Sequence, residues 1–216
     1  MTQQAGQRRT PLGHRYDAAP AASPFVGPGG PSPFGHPLAG ASSGQGLMLF
    51  DLTAWDRFGL KGRGAGDWLV GKGLGPLPQI NTMSPAPASG PDILRLGTED
   101  IVLLSRPETG QGGVARLRAE WEADARRPKG FNAWRDETWA WFHIRGPGVS
   151  ELMARTCPVD LHRDRFAPRC IAQTRVAQMD CIVVRSDRDG LHGFDLFFDV
   201  ASSEFMLRSF EELGAP

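Results

Sequence analysis

The densest run of reactive side chains in this sequence is CPVDLHRDRFAPRCIAQTRV, residues 157–176. It holds Cys157, Cys170, His162, Asp160 and Asp164, together with Arg163, Arg165, Arg169 and Arg175. Cys157 as a nucleophile with His162 as its base is one chemistry such a set can perform. The two lie close enough in sequence to meet in a loop, but the thiolate needs a stabilising environment that spacing alone does not supply. Pro158 offers a plainer account: it confines Cys157 to extended backbone and ends the preceding helix. A zinc site is the second chemistry. It usually takes ligands in close pairs, and Cys157, Cys170 and Cys181 are separated by 12 and 10 residues. Cys170 and Cys181 also fall in apolar strand-like runs, where a free cysteine acts as a small hydrophobe.

Two glycine pairs, in KGRGAG (Lys61–Gly66) and RGPGVS (Arg145–Ser150), join a strand to a helix, where backbone N–H groups can hold an anion. Neither is a full dinucleotide or P-loop fingerprint, so tight turns with positive φ are the expected role. Asp187 and Asp189 lie in SDRDG, a turn signal, and read as solvated turn residues. The arginines of HRDRFAPR alternate with acids, as in a solvated loop, although Arg and aromatic residues are also enriched at interfaces. Phe131, Trp134, Trp139 and Trp141 lie just upstream. From the residues alone, no catalytic, cofactor-binding or metal-ligating side chain stands out.

The elements that position these residues follow from periodicity. LMLFDLTAW and RFGLKG read as strands, and GAGDWLVGKG as a short helix. DILRLG and EDIVLLS read as a hairpin turning near Gly97-Thr98. VARLRAEWEADAR is helical, with Val114, Leu117 and Trp121 on one face. After the turn RRPKGFN comes the aromatic strand TWAWFHIRG, then the helix GVSELMART with Val149, Leu152, Met153 and Thr156 in register. CIAQTRV and MDCIVVRS form a second hairpin, GFDLFFDV a strand, and SSEFMLRSFEEL a final helix with Glu204 in its first turn. RFGLKGRGAGDWL, from Arg57, echoes WFHIRGPGVSELM, from Trp141. The chain therefore reads as α+β, with two related strand–helix–strand–strand–helix halves, about 47–130 and 131–216, on mainly antiparallel sheet.

Residues 1–46 differ. ASPFVGPGGPSPFGHPLAGASSGQG carries almost no charge and little periodicity, so it is not expected to fold alone. It reads as a flexible tail that orders, if at all, against a partner through Phe25, Val26, Phe34 and Leu38. Lys+Arg and Asp+Glu both total 24, so bulk charge points to neither nucleic acid nor membrane. No apolar run approaches the ~20 residues of a membrane helix. Three cysteines cannot all pair, which fits a reducing cytoplasm.

The motifs in 157–176 carry a resemblance. Cys157–His162 (Cys-Pro-aliphatic-Asp-Leu-His), the Phe-x-Pro turn Phe166–Pro168, and the strand Cys170–Arg175 (Cys-x-Ala-Gln-Thr-Arg) resemble the gamma subunit of bacterial heterotetrameric sarcosine oxidase. RRTPLGHR, Arg8–Arg15, resembles that family's N-terminal signature. The likeness covers the chain well from about Trp139, more loosely over 47–130, and finds no counterpart for 17–46. It implies a fold like the folate-binding aminomethyltransferase of the glycine cleavage system. It implies partners, the alpha, beta and delta subunits, that carry FAD, FMN, NAD, tetrahydrofolate and zinc. It implies that the complex oxidatively demethylates an N-methyl amino acid, such as sarcosine, methylglutamate or a methylated proline. It implies that within the complex this chain is a non-catalytic subunit packed on the folate-binding domain of the large one. The alternative is a free-standing folate-binding one-carbon transferase, which needs an acid at the pterin. Asp180 and Asp195 are its strand-located candidates.

Overall fold

The computed structural model describes residues 10–16, 26–27, 30–31, 35–39, 47–85, 90–105, 112–188 and 190–214. Two antiparallel sheets organise it. The first runs β6 (Thr82–Pro85), β7 (Asp92–Gly97), β8 (Asp100–Leu104), β5 (Arg57–Lys61), β9 (Phe131–Asn132). The second runs β11 (Ile171–Val176), β12 (Met179–Arg185), β13 (Gly193–Asp199), β10 (Trp139–Arg145), β4 (Leu47–Asp51), β3 (Gly35–Ala39). β1 (Val26–Gly27) and β2 (Gly30–Pro31) pair with each other alone. The helices are α1 (Gly13–Tyr16), α2 (Ala65–Leu69), α3 (Gly112–Ala123), α4 (Arg135–Thr138), α5 (Val149–Thr156) and α6 (Ser203–Gly214).

Strand alternation explains the layering. In β10, Ala140, Phe142 and Ile144 point one way, into a core shared with Val149, Leu152 and Met153 of α5 and Met206, Leu207 and Phe210 of α6. Trp141 points the other way, into a core between the sheets that holds Phe50, Phe197, Leu94 and Val102. Beyond the first sheet, Phe58, Leu60, Ile101 and Leu103 pack on Leu69 of α2 and on Val114, Leu117 and Trp121 of α3. The order is helix, sheet, sheet, helix. Central strands buried on both faces must be apolar almost throughout, which is why WAWFHIR and GFDLFFD read as continuous runs.

The repeat is structural. β5 and α2 correspond to β10 and α5, and the hairpins β6–β7 and β11–β12 occupy matching places in the strand orders. The turn glycines match in conformation: Gly62 and Gly146 have φ of 114° and 115°, and Gly64 and Gly148 have 85° and 82°. Both glycine pairs thus fill positions that side chains rarely adopt, as expected for tight turns. Each half also lends a strand to the other. β4 precedes β5 but pairs with β10, and β9 precedes β10 but pairs with β5.

Several sequence expectations need correction. The strand expected over LMLFDLTAW stops at Asp51, because its Oδ1 accepts the Thr53 N–H at 2.9 Å and turns the chain. The short helix α4 was not foreseen. Part of the expected tail packs on this chain itself: Leu12 is fully buried, the Thr10 hydroxyl donates to Asp51, and Arg15 meets Glu211 at 2.8 Å. Phe25 and Phe34 lie outside the described residues.

Candidate functional site

The central strands β10 and β13 place His143 directly opposite Asp195. Both point between the sheets and both are fully buried, with Trp141 beside them. Asp195 Oδ1 accepts from Trp141 Nε1 at 3.0 Å and from His143 Nδ1 at 3.0 Å. Its Oδ2 accepts from Arg188 Nη2 at 3.0 Å. Burial pushes the Asp195 carboxyl up, but Arg188, His143 and Trp141 outweigh it and hold the group well below the usual carboxylate range. Burial dominates at His143 and pushes the imidazole down, against the pull of Asp195. The pair therefore stands as a carboxylate beside an imidazole held in one tautomer, the arrangement that orients a general base. Its position denies it that use here. Neither side chain has any exposed surface, so no substrate atom reaches the imidazole.

The other half lacks this pair. Gly59 and Val102 face each other where His143 and Asp195 do. A Cβ on Gly59 would lie 2.2 Å from Cγ of Arg135, so the missing side chain makes room for that arginine. Arg135 stacks 3.9 Å from the ring centroid of Trp139 and pairs with Asp100 at 3.3 Å.

The remaining candidates are dispersed. Cys157 is buried among core residues and forms the extended C-cap of α5, the role that Pro158 dictates. His162 is exposed and lies 3.6 Å from Asp164. Burial pushes the Cys181 thiol far up, so it behaves as a hydrophobe. Cys170 is half-buried. Among the described residues, no group of His, Cys, Asp or Glu is placed to hold a metal ion. Asp180 sits at the surface, paired with Arg175 at 3.1 Å and remote from the His143–Asp195 pair in the sheet. Asp187 is not a merely solvated turn residue. It grips the buried Arg185 through both oxygens, at 3.2 and 2.9 Å, and accepts from His192 at 3.0 Å. Arg185 in turn donates to the carbonyls of Arg163 and Phe166, holding the 157–169 loop. Asp189 lies outside the described residues.

His143, Trp141 and Arg188 were missed in the sequence. The signal was one charge-capable residue inside each of two otherwise apolar strands, since adjacent central strands must pair such residues or leave them buried alone. A surface groove of about 950 Å³ crosses the sheet from β11 through β12 and β13 to β10, with Trp139, Met179, Ile182 and Phe197 in its wall.

No protein-family model matches this sequence, and no curated protein matches it. A solved structure does. A chain of the heterotetrameric sarcosine oxidase from Corynebacterium sp. U-96, determined in complex with pyrrole 2-carboxylate, superposes with a TM-score of 0.68 at 17% sequence identity. The match covers 96% of this chain and 94% of that one. This chain thus has the fold of one whole chain of that heterotetrameric enzyme.

Proposed function

We propose that this chain is the gamma-type subunit of a sarcosine-oxidase-like flavoenzyme complex that oxidatively demethylates an N-methyl amino acid. One observation carries the reading: the likeness spans nearly all of both chains. The counterpart is thus a subunit of about this length, not a domain of a longer chain. The role is non-catalytic packing against the folate-binding domain of the large subunit. The sealed His143–Asp195 pair supports this, because the only carboxylate–imidazole pair buried between the sheets, among the described residues, is closed to substrate. FAD, FMN, NAD, tetrahydrofolate and zinc then reside in the alpha, beta and delta partners, in a cytoplasmic assembly. No helix among the described residues is long and apolar enough to cross a membrane.

The test is affinity purification of the tagged chain from its own cells. A large flavin-containing chain and a small zinc-binding chain are expected at fixed stoichiometry with it. Elution of the chain alone overturns the reading. In that event the folate-binding transferase reading, resting on the exposed Asp180, is checked by titrating tetrahydrofolate to high micromolar concentration.

A further inference from the structure

An antiparallel strand sends its backbone groups alternately to its two sides. In β11 the parity is visible at both ends. Ile171 N–H turns away from β12 to the carbonyl of Asn81 at 2.9 Å. Just past the strand, Ala177 N–H turns away to the carbonyl of Thr156 at 2.9 Å. Gln173 and Arg175 lie between them with the same parity. Their N–H and C=O groups face outward, and no backbone partner among the described residues meets them. β11 is the edge of its sheet.

The other half of the molecule closes the same edge. The edge strands β6 and β11 clasp each other symmetrically: Met83 N–H donates to the Arg169 carbonyl at 2.8 Å, as Ile171 N–H does to Asn81. Asn81 and Arg169 share positive φ, 59° and 68°. Counting two residues beyond Met83 and beyond Ile171 sets Pro85 in the place of Gln173. Proline has no N–H and is a common guard of exposed edges. One edge carries that guard and the other does not.

We propose that the edge of β11 at Gln173 and Arg175 is a strand-addition site that pairs with one extended segment of a partner polypeptide. The proposal rests on the subunit reading above. Two outward residues offer two donors and two acceptors, a set that only another backbone matches throughout. The opening is closed at Ile171 and at Ala177, about 20 Å apart at strand spacing. The β11 edge of a second copy carries the same covers, which collide there, whereas a single extended segment enters. Arg175 and Asp180 neutralise each other, so the segment is recognised by its backbone more than by charge.

The experiment compares amide hydrogen exchange over residues 171–176 in the isolated full chain and in the purified assembly. The Gln173 and Arg175 amides are expected to slow at least about tenfold on assembly. Arg175→Pro removes one outward N–H and leaves the bonds of Thr174 and Val176 to β12, so it is expected to lose the partner. Arg175→Ala is expected to keep it. Equal, fast exchange in both states overturns the site and leaves the subunit reading standing. Protection already present in the isolated chain also overturns it, since the chain's own residues then cover the edge. If no assembly is recovered, the subunit reading fails and the site falls with it.

Discussion

Asp195 is held by three donors from two segments: Trp141 and His143 of β10, both buried with it, and the half-buried Arg188 of the turn before β13. Removing the carboxylate leaves Arg188 and His143 without their shared anion. Asp195→Ala is expected to cost about 3–5 kcal/mol, read as a fall in urea midpoint, the size typical of breaking a buried pair from one side. The pH dependence follows from directions. The folded-state values of His143 and His192 are both lowered, chiefly by burial. As pH falls through about 6.5, the unfolded chain takes up protons that the native state refuses, so stability falls. Asp195, with its lowered value, adds a further loss below about pH 4, where the unfolded carboxyl protonates first. Asp51 is shifted up, mainly by burial, and acts with the opposite sign nearer the carboxylate range. Between pH 7.5 and 5.5, in round figures, the histidines dominate. His143→Gln is expected to flatten the stability profile there, and an unchanged slope would assign it to other groups.

At the element scale, the two helix-entry glycines make a matched pair with different surroundings. Gly64 and Gly148 share left-handed φ, so alanine strains both by about 1–2 kcal/mol. A Cβ on Gly64 would lie 2.6 Å from Pro128, whereas one on Gly148 meets nothing within 4 Å. Gly64→Ala is therefore expected to destabilise more than Gly148→Ala, in paired thermal or urea melts. Equal losses would mean that the 128 loop yields freely. The β11–β12 hairpin departs from that local logic. Ala177 and Gln178 both take positive φ in the two-residue turn of β11–β12, although neither is a residue that favours it.

At the scale of the molecule, the strand exchange needs a fastener, and Arg57 supplies it. Its guanidinium is fully buried and donates to the carbonyls of Thr53 and Trp55, on the way in from β4. It also donates to those of Arg135, Asp136 and Trp139, on the way from β9 to β10. Both connections that cross between the sheets thus converge on one side chain. Arg57→Met keeps much of the volume and strands several buried carbonyls, each costing about 1–3 kcal/mol. The expected result is a loss of at least about 3 kcal/mol, or no soluble protein at all. A near-neutral result would show that the crossings are held by the sheets alone.

The local elements and their repeat were readable because they depend on periods of two and 3.6 and on glycines at fixed offsets. β5, β10, β13 and α5 lie where the apolar pattern put them. Cys157-Pro158 ends its helix because the ring of proline forbids anything else. Which strand pairs with which was not readable. The exchange of β4 and β9 brings together residues far apart in the chain, and either partner satisfies the same alternation. The same holds for Asp195, whose meaning depends on His143 across the ladder and Arg188 around a turn. Sequence determined a two-halved α+β chain and the conformations of its glycine turns. Only the tertiary structure decided that the His143–Asp195 pair is sealed between the sheets and that, among the described residues, no strand covers the outer edge of β11, because burial and strand neighbours are set by packing across the whole chain.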